Sequence, residues 1–224
     1  MIIDKNLTLD LNGKTLVTSA NIGVQVKNNV TFNLQDSTAD ATTGIGNGEI
    51  KSTITEGNEK SFRDDDKHAV IIVGEGVGET NATFNITSGK ITSTKLLGID
   101  VFGESELNIS GGHVKSADSL AVYFGTFGNQ YGNDYTKRGC GGGGTLKMTG
   151  GKLESNSTKL STVQVSGNHV KTTTIDISGG EVVFDSSETS ADTGIGGIFA
   201  SGITDFTIRD EGKITSRSEE HTSE

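Results

Sequence analysis

Apolar and polar positions alternate along this chain in short bursts, and one ten-residue phrase that carries the alternation keeps returning. It reads LNISGGHVKS at Leu107–Ser116, FNITSGKITS at Phe84–Ser93, LKMTGGKLES at Leu146–Ser155 and IDISGGEVVF at Ile175–Phe184. FTIRDEGKITS at Phe206–Ser216 is the same phrase with one residue inserted. FNL (Phe32–Leu34) and GEIKS (Gly48–Ser52) are its two halves, split by a loop. Residues i and i+2 of a strand share a face, so each phrase predicts two short strands hinged on glycine. A third strand precedes each copy: Gly23–Val26, Ala69–Val73, Gly98–Phe102, Ala121–Phe124, Thr162–Val165 and Gly197–Ala200.

Aligning the copies gives three aliphatic columns. The residue two after the hinge glycine is Ile50, Ile91, Val114, Leu153, Val182 and Ile214. The strand before it contributes Phe32, Phe84, Leu107, Leu146, Ile175 and Phe206, then Leu34, Ile86, Ile109, Met148, Ile177 and Ile208. Three strands of about four residues per repeat, recurring at a solenoid-like period without helical periodicity, predict an all-β fold. The expected form is a single-stranded right-handed parallel β-helix of about six three-strand coils, a β-solenoid spanning 1–216 as one domain. Each inward side chain contributes roughly 1.5–3 kcal/mol, too little for one coil alone, so several must stack before backbone entropy is offset. Outward positions also align, with Asn33, Asn85 and Asn108 in one column and Glu49, Lys90, His113, Lys152, Glu181 and Lys213 in another. These are expected to set register and solubility. Gly13–Leu16 after Leu7–Asn12 reads as a half-coil, and neither end shows a cap over its strand edges, so both ends are expected to be truncated.

Composition narrows this further. Hydrophobic residues make up 31% and aromatics 5%, with no tryptophan, which suits a thin core drawn out along an axis. The net charge of −10 argues against nucleic acid as a partner, since phosphate contacts need clustered Lys and Arg. Cys140 is the one cysteine, so no intrachain disulfide can form. No stretch is long and apolar enough for a membrane span, and no export signal is visible at Met1. Arg217–Glu224 (RSEEHTSE) resembles the in-frame translation of a common short-read sequencing adapter and is set aside as a non-native tail.

LTLDLNGKTL at Leu7–Leu16, followed by FNLQDS and several xIxGGxI units, resembles right-handed β-helix segments of the pectate-lyase-like superfamily. It is similar in style to the large repetitive surface proteins of gut and other host-associated bacteria. The resemblance implies a secreted or cell-surface bacterial module, adhesin-like or a structural stalk. Relatives of this kind also include polysaccharide lyases and glycoside hydrolases, and phage tail-spike-like fibres are a further possibility. The motifs are structural punctuation and do not choose among these activities.

Chemistry is therefore expected where the phrase is interrupted. The lyases of this fold use clustered carboxylates, often with calcium, and a basic residue. Here that implication falls on Arg63, Asp64 and Asp66 in the run before Ala69, with Asp100 one coil on. The oxygen-rich segments Asp36–Asn47 and Asp185–Gly196 offer calcium-type ligands without EF-hand spacing. Gly125–Gly144 holds Tyr131 and Tyr135, with Tyr123 beside it, so all three tyrosines lie here together with Phe127, Asn129 and Asn133. Flat apolar faces with hydroxyl and amide groups suit a glycan or a host-surface ligand. A solvated charge run and a loop packed back on the wall are the plainer alternatives for these two segments.

Overall fold

The computed structural model describes residues 1–55, 69–75, 81–125, 143–158, 160–165, 171–185, 196–200 and 204–217. Arg63, Asp64, Asp66, Phe127, Asn129, Tyr131, Asn133 and Tyr135 lie outside them. Among the described residues the fold is all-β, with nineteen strands and no helix.

Strands come in sets of three. The first set is β1 (Ile2–Ile3), β2 (Leu7–Asp10) and β3 (Thr15–Thr18), and the second β4 (Ile22–Val26), β5 (Thr31–Gln35) and β6 (Glu49–Ser52). The third is β7 (Ala69–Val73), β8 (Thr83–Ile86) and β9 (Lys90–Ser93); the fourth is β10 (Leu97–Val101), β11 (Glu106–Ile109) and β12 (His113–Ser116). In the next two sets, β13 (Val122–Phe124) is followed by β14 (Thr145–Ser155), and β15 (Val163–Val165) by β16 (Thr173–Asp185). β14 and β16 are long because each carries the whole phrase through its glycine pair. The last set is β17 (Ile198–Ala200), β18 (Thr204–Ile208) and β19 (Lys213–Arg217). The sets number seven where the sequence suggests about six: Ile2–Ile3 supplies the missing strand of the half-repeat at Leu7–Thr18.

These strands form two curled parallel sheets. The 7-stranded sheet takes the first strand of each set in order, β1-β4-β7-β10-β13-β15-β17. The 12-stranded sheet runs β2-β5-β8-β11-β14 and returns β12-β9-β6-β3, with β16, β18 and β19 continuing from β14. Parallel pairing needs a long crossover between partners, so each strand pairs with strands of other sets and most contacts are non-local. The registers reproduce the sequence columns: Phe32 lies opposite Phe84, Phe84 opposite Leu107, and Leu107 opposite Leu146. Likewise Ile50 faces Ile91, which faces Val114, which faces Leu153. One apolar cluster runs from Ile3 through these columns to Val182, with Ile198 packed against it. Phe32 and Phe84 stack with ring centroids 5.0 Å apart.

The glycine pair has a steric reason at each position. A Cβ on Gly111 would come within 2.3 Å of the Thr87 carbonyl oxygen in the preceding repeat, and one on Gly179 within 2.3 Å of Thr149 O. The second glycines, Gly112 and Gly180, sit at φ +82° and +79°, where L side chains are strained. The serine that closes most phrases points inward and satisfies a turn: Leu96 N, in the turn that follows, donates to Ser93 Oγ at 2.7 Å, and Ser155 Oγ donates to Ser119 O, in the turn of the preceding repeat, at 2.8 Å. On the outside, Asn108 Nδ2 donates to Asn85 Oδ1 at 2.9 Å, Asn85 Nδ2 to Asn33 Oδ1 at 2.7 Å, and Asn33 Nδ2 to Thr8 Oγ1 at 3.2 Å. This amide ladder fixes the one register in which every rung is paired.

Candidate functional site

The outward column of the 7-stranded sheet differs from the others. It runs Gln25, Ile72, Asp100, Tyr123, Gln164, Phe199 from strand to strand. Outward side chains of a curled sheet are ordinarily wet, yet Ile72, Asp100 and Tyr123 are buried, Asp100 being only 1% exposed. Ile72 and Tyr123 belong to a second apolar cluster with Ala69, Leu97, Phe102 and Leu120, against which Ile22 and Leu160 pack. This sheet is thus covered on both faces at its centre. The sequence signal for it is the run AVIIV at Ala69–Val73, apolar in both phases of the alternation, which is what a strand buried on both faces requires.

Asp100 stands in that apolar column. Burial pushes its carboxyl well above the ordinary aspartate range, and the Val101 backbone N–H opposes the shift only in part. A carboxyl whose charged form is disfavoured by burial gains the capacity to donate a hydrogen bond, and a strongly perturbed buried acid is a recognised mark of a functional site. Of the implied set Arg63, Asp64, Asp66 and Asp100, Asp100 alone falls within the described residues, so the structure does not show the four together. Residues 53–68 do lead directly into β7, the strand paired beside β10. Tyr123 lies against Asp100 in register and is 5% exposed, and a Cβ on Gly125 would meet its ring. Tyr123 therefore serves the wall, at the root of the segment that carries the other five recognition candidates.

The oxygen-rich segment 36–47 satisfies itself. The Asp36 carboxylate accepts from Gly13 N at 2.8 Å, Gly48 N at 2.6 Å, Thr38 N at 3.1 Å and Thr38 Oγ1 at 2.8 Å. Burial alone would raise this acid, but the Thr38 hydroxyl and the backbone donors outweigh it and hold it below the usual range. Asp40 accepts from Thr42 N and from Thr43 N and Oγ1 in the same way. Gly44 O accepts from Gly89 N at 2.9 Å, which ties the segment down onto the next repeat. With its carboxylates turned to N–H and O–H donors, this loop is held as a strap across the wall. Of Asp185–Gly196 only the two end residues are described, and among the described residues no three His, Cys, Asp or Glu side chains converge as metal ligands.

A charged cluster that the sequence columns do not reveal lies on β12 and β14. Glu154, buried, receives Lys115 Nζ and Lys152 Nζ at 2.5 Å each and lies 3.1 Å from His113 Nε2. Burial works against its ionisation, but the two lysines bring it down to about 2. The same burial lowers His113, with Glu154 pulling the other way. Lys115 and Glu154 are opposite one another in register, so the i+2 alternation that gave the first outward column also gives this one. The cluster joins neighbouring strands and its charges are mutually satisfied. Among the described residues no helix is long and apolar enough to cross a membrane. Comparison of the chain with protein-family models, with curated proteins and with solved structures yields no match.

Proposed function

We propose that this chain is a β-solenoid module of a secreted or cell-surface bacterial protein, an adhesin-like stalk whose insertions present a glycan-binding surface. The seven sets of strands are its coils, and the resemblance to pectate-lyase-like β-helices is carried by the same glycine-hinged phrase. The observation that supports the display role is where the phrase is interrupted. Residues 53–68, 74–82, 125–144, 166–172 and 186–197 all connect to ends of strands in the 7-stranded sheet. The long insertion elsewhere, 36–48, is strapped to the wall through Asp36 and Gly44. Variation is thereby placed at the joins between the two sheets, while the 12-stranded sheet keeps its ladders of asparagines and charges. Loops on a rigid scaffold are where recognition is ordinarily placed. The 125–144 insertion, with Tyr131, Tyr135, Phe127, Asn129 and Asn133, supplies the aromatic faces and amides that sugars require.

A glycan array probed with the full chain tests this. Binding to at least one glycan class is expected, with at least tenfold loss in Tyr131→Ala/Tyr135→Ala at an unchanged melting temperature. A blank array, or binding indifferent to both tyrosines, would sink the recognition role.

A further inference from the structure

The outer surface of the 12-stranded sheet changes in charge from one group of strands to the other. On β5, β8 and β11 the outward side chains are threonines and amides with Glu106, and there is no lysine or arginine. On β6, β9, β12 and the second half of β14, four strands paired in succession, each strand carries one outward lysine: Lys51, Lys90, Lys115 and Lys152. The register sets Glu49, Lys90, His113 and Lys152 in one column and Lys51, Thr92, Lys115 and Glu154 in the next, so the lysines zigzag between two neighbouring columns. The two carboxylates of the strip are engaged from within it. Glu49 accepts from the Thr92 hydroxyl, and Glu154 from Lys115 and Lys152. Two lysines on one carboxylate leave that cluster with an excess of positive charge, and neither Lys51 nor Lys90 has an ion pair among the described residues. Lys51 is exposed and Lys90 half-buried. A positive strip thus spans the second to fifth sets of a chain whose net charge is −10.

We infer that this strip binds a linear sulfated polysaccharide laid across β6, β9, β12 and β14. Neighbouring strands lie about 4.8 Å apart, so a chain crossing them meets one ammonium group at each step. That step is close to the length of one sugar ring in an extended chain. Charge selects an anion, and the surroundings select among anions. A nucleic acid duplex would lay further phosphates over the acidic remainder of the chain. A single strand seeks aromatic faces on which to stack its bases, and the outward positions of these four strands carry none. Planar carboxylates are held best by the guanidinium fork of arginine. The strip uses lysine alone, whose ammonium is a rotatable point charge suited to tetrahedral sulfate esters. This contact lies on the wall and goes beyond the display role of the insertions. Its lysines are separate from Tyr131 and Tyr135, so either binding can fail without the other.

Heparin, titrated against the full chain by fluorescence anisotropy at about 0.1 M salt, tests this under conditions where only close charge pairs survive screening. Binding is expected, and it should weaken as salt rises. Exposed ion pairs contribute little singly, so removing two in Lys51→Gln/Lys90→Gln should weaken binding about five- to tenfold. Lys5→Gln/Lys147→Gln removes the same charge from exposed positions off the strip and should bind as the parent does. Neither Lys51 nor Lys90 has an ion pair to lose, so the melting temperature should hold. Lys51→Thr/Lys90→Thr, better suited to a strand, replaces the pair if it does not. Absence of heparin binding, a strip variant that binds like the parent, or equal losses in both double variants would each overturn the inference. So would a parent chain that prefers polygalacturonate or single-stranded DNA to heparin.

Discussion

Asp100 and Glu154 are both buried acids, and their surroundings drive them in opposite directions. Asp100 is raised by burial, so its contribution to stability is complete below the unfolded value near 3.8 and declines as pH climbs towards its folded value. Glu154 is depressed from 4.5 to about 2, so its contribution is complete above 4.5 and disappears as pH falls through that window. At neutral pH the Glu154 displacement corresponds to about 3 kcal/mol at most. Glu154→Gln is expected to lower the melting temperature at pH 7, with the gap to the parent closing between pH 4.5 and 2. Asp100→Asn is expected to raise it at pH 7, with the gap closing as pH falls towards 3.8. Calorimetry across pH 2–8 reads both, and parallel profiles for parent and variants would refute the assignment. His113 adds to the acid sensitivity of the Glu154 cluster: depressed by burial, it loses stability as pH drops through its ordinary value near 6.5.

At the scale of the element, the phrase owes its shape to close approach at the glycine pair. Gly111→Ala would bring a methyl group to 2.3 Å from Thr87 O, a backbone atom with nowhere to retreat, whereas Gly196→Ala meets nothing within 4 Å. A cost of about 2–3 kcal/mol is expected for the first and under about 0.5 kcal/mol for the second, measured by urea denaturation. Equal costs would show that glycine acts here through chain entropy alone. This contrast also marks how far the sequence could be read. Inward columns were legible because a strand's period of two leaves no other face for Phe84, Leu107 and Leu146, and the recurring Gly-Gly gave the hinge. The strand at Ile2–Ile3 was not, since two apolar residues carry no period. The second face of the 7-stranded sheet went unread: its signal is the run AVIIV, apolar in both phases, and in LGIDV it is hidden because Asp100 breaks the apolar run although it is buried. The Glu154 cluster escaped because Lys115 and Glu154 occupy the second outward position of the phrase, a column left unaligned, while only His113 and Lys152 belong to the outward column that was read. Most of the candidate recognition set belongs to insertions, where the phrase stops and no period constrains the chain.

For the molecule as a whole, a stack of sets joined only to their neighbours should behave as a nearly one-dimensional system, with stability graded from the middle outward. Burial already shows the gradient: Phe84 is fully enclosed between Phe32 and Leu107 in its column, while Phe206, in the same column, has one column neighbour among the described residues. Phe84→Ala leaves a cavity between two sets and is expected to cost about 3–5 kcal/mol. Phe206→Ala removes a side chain already half in water and should cost about 1 kcal/mol or less. Amide exchange gives the same order without mutation. Strands β8, β11 and β14 should be the slowest, and β2 and β18 the fastest, because opening an end breaks one interface and opening the centre breaks two.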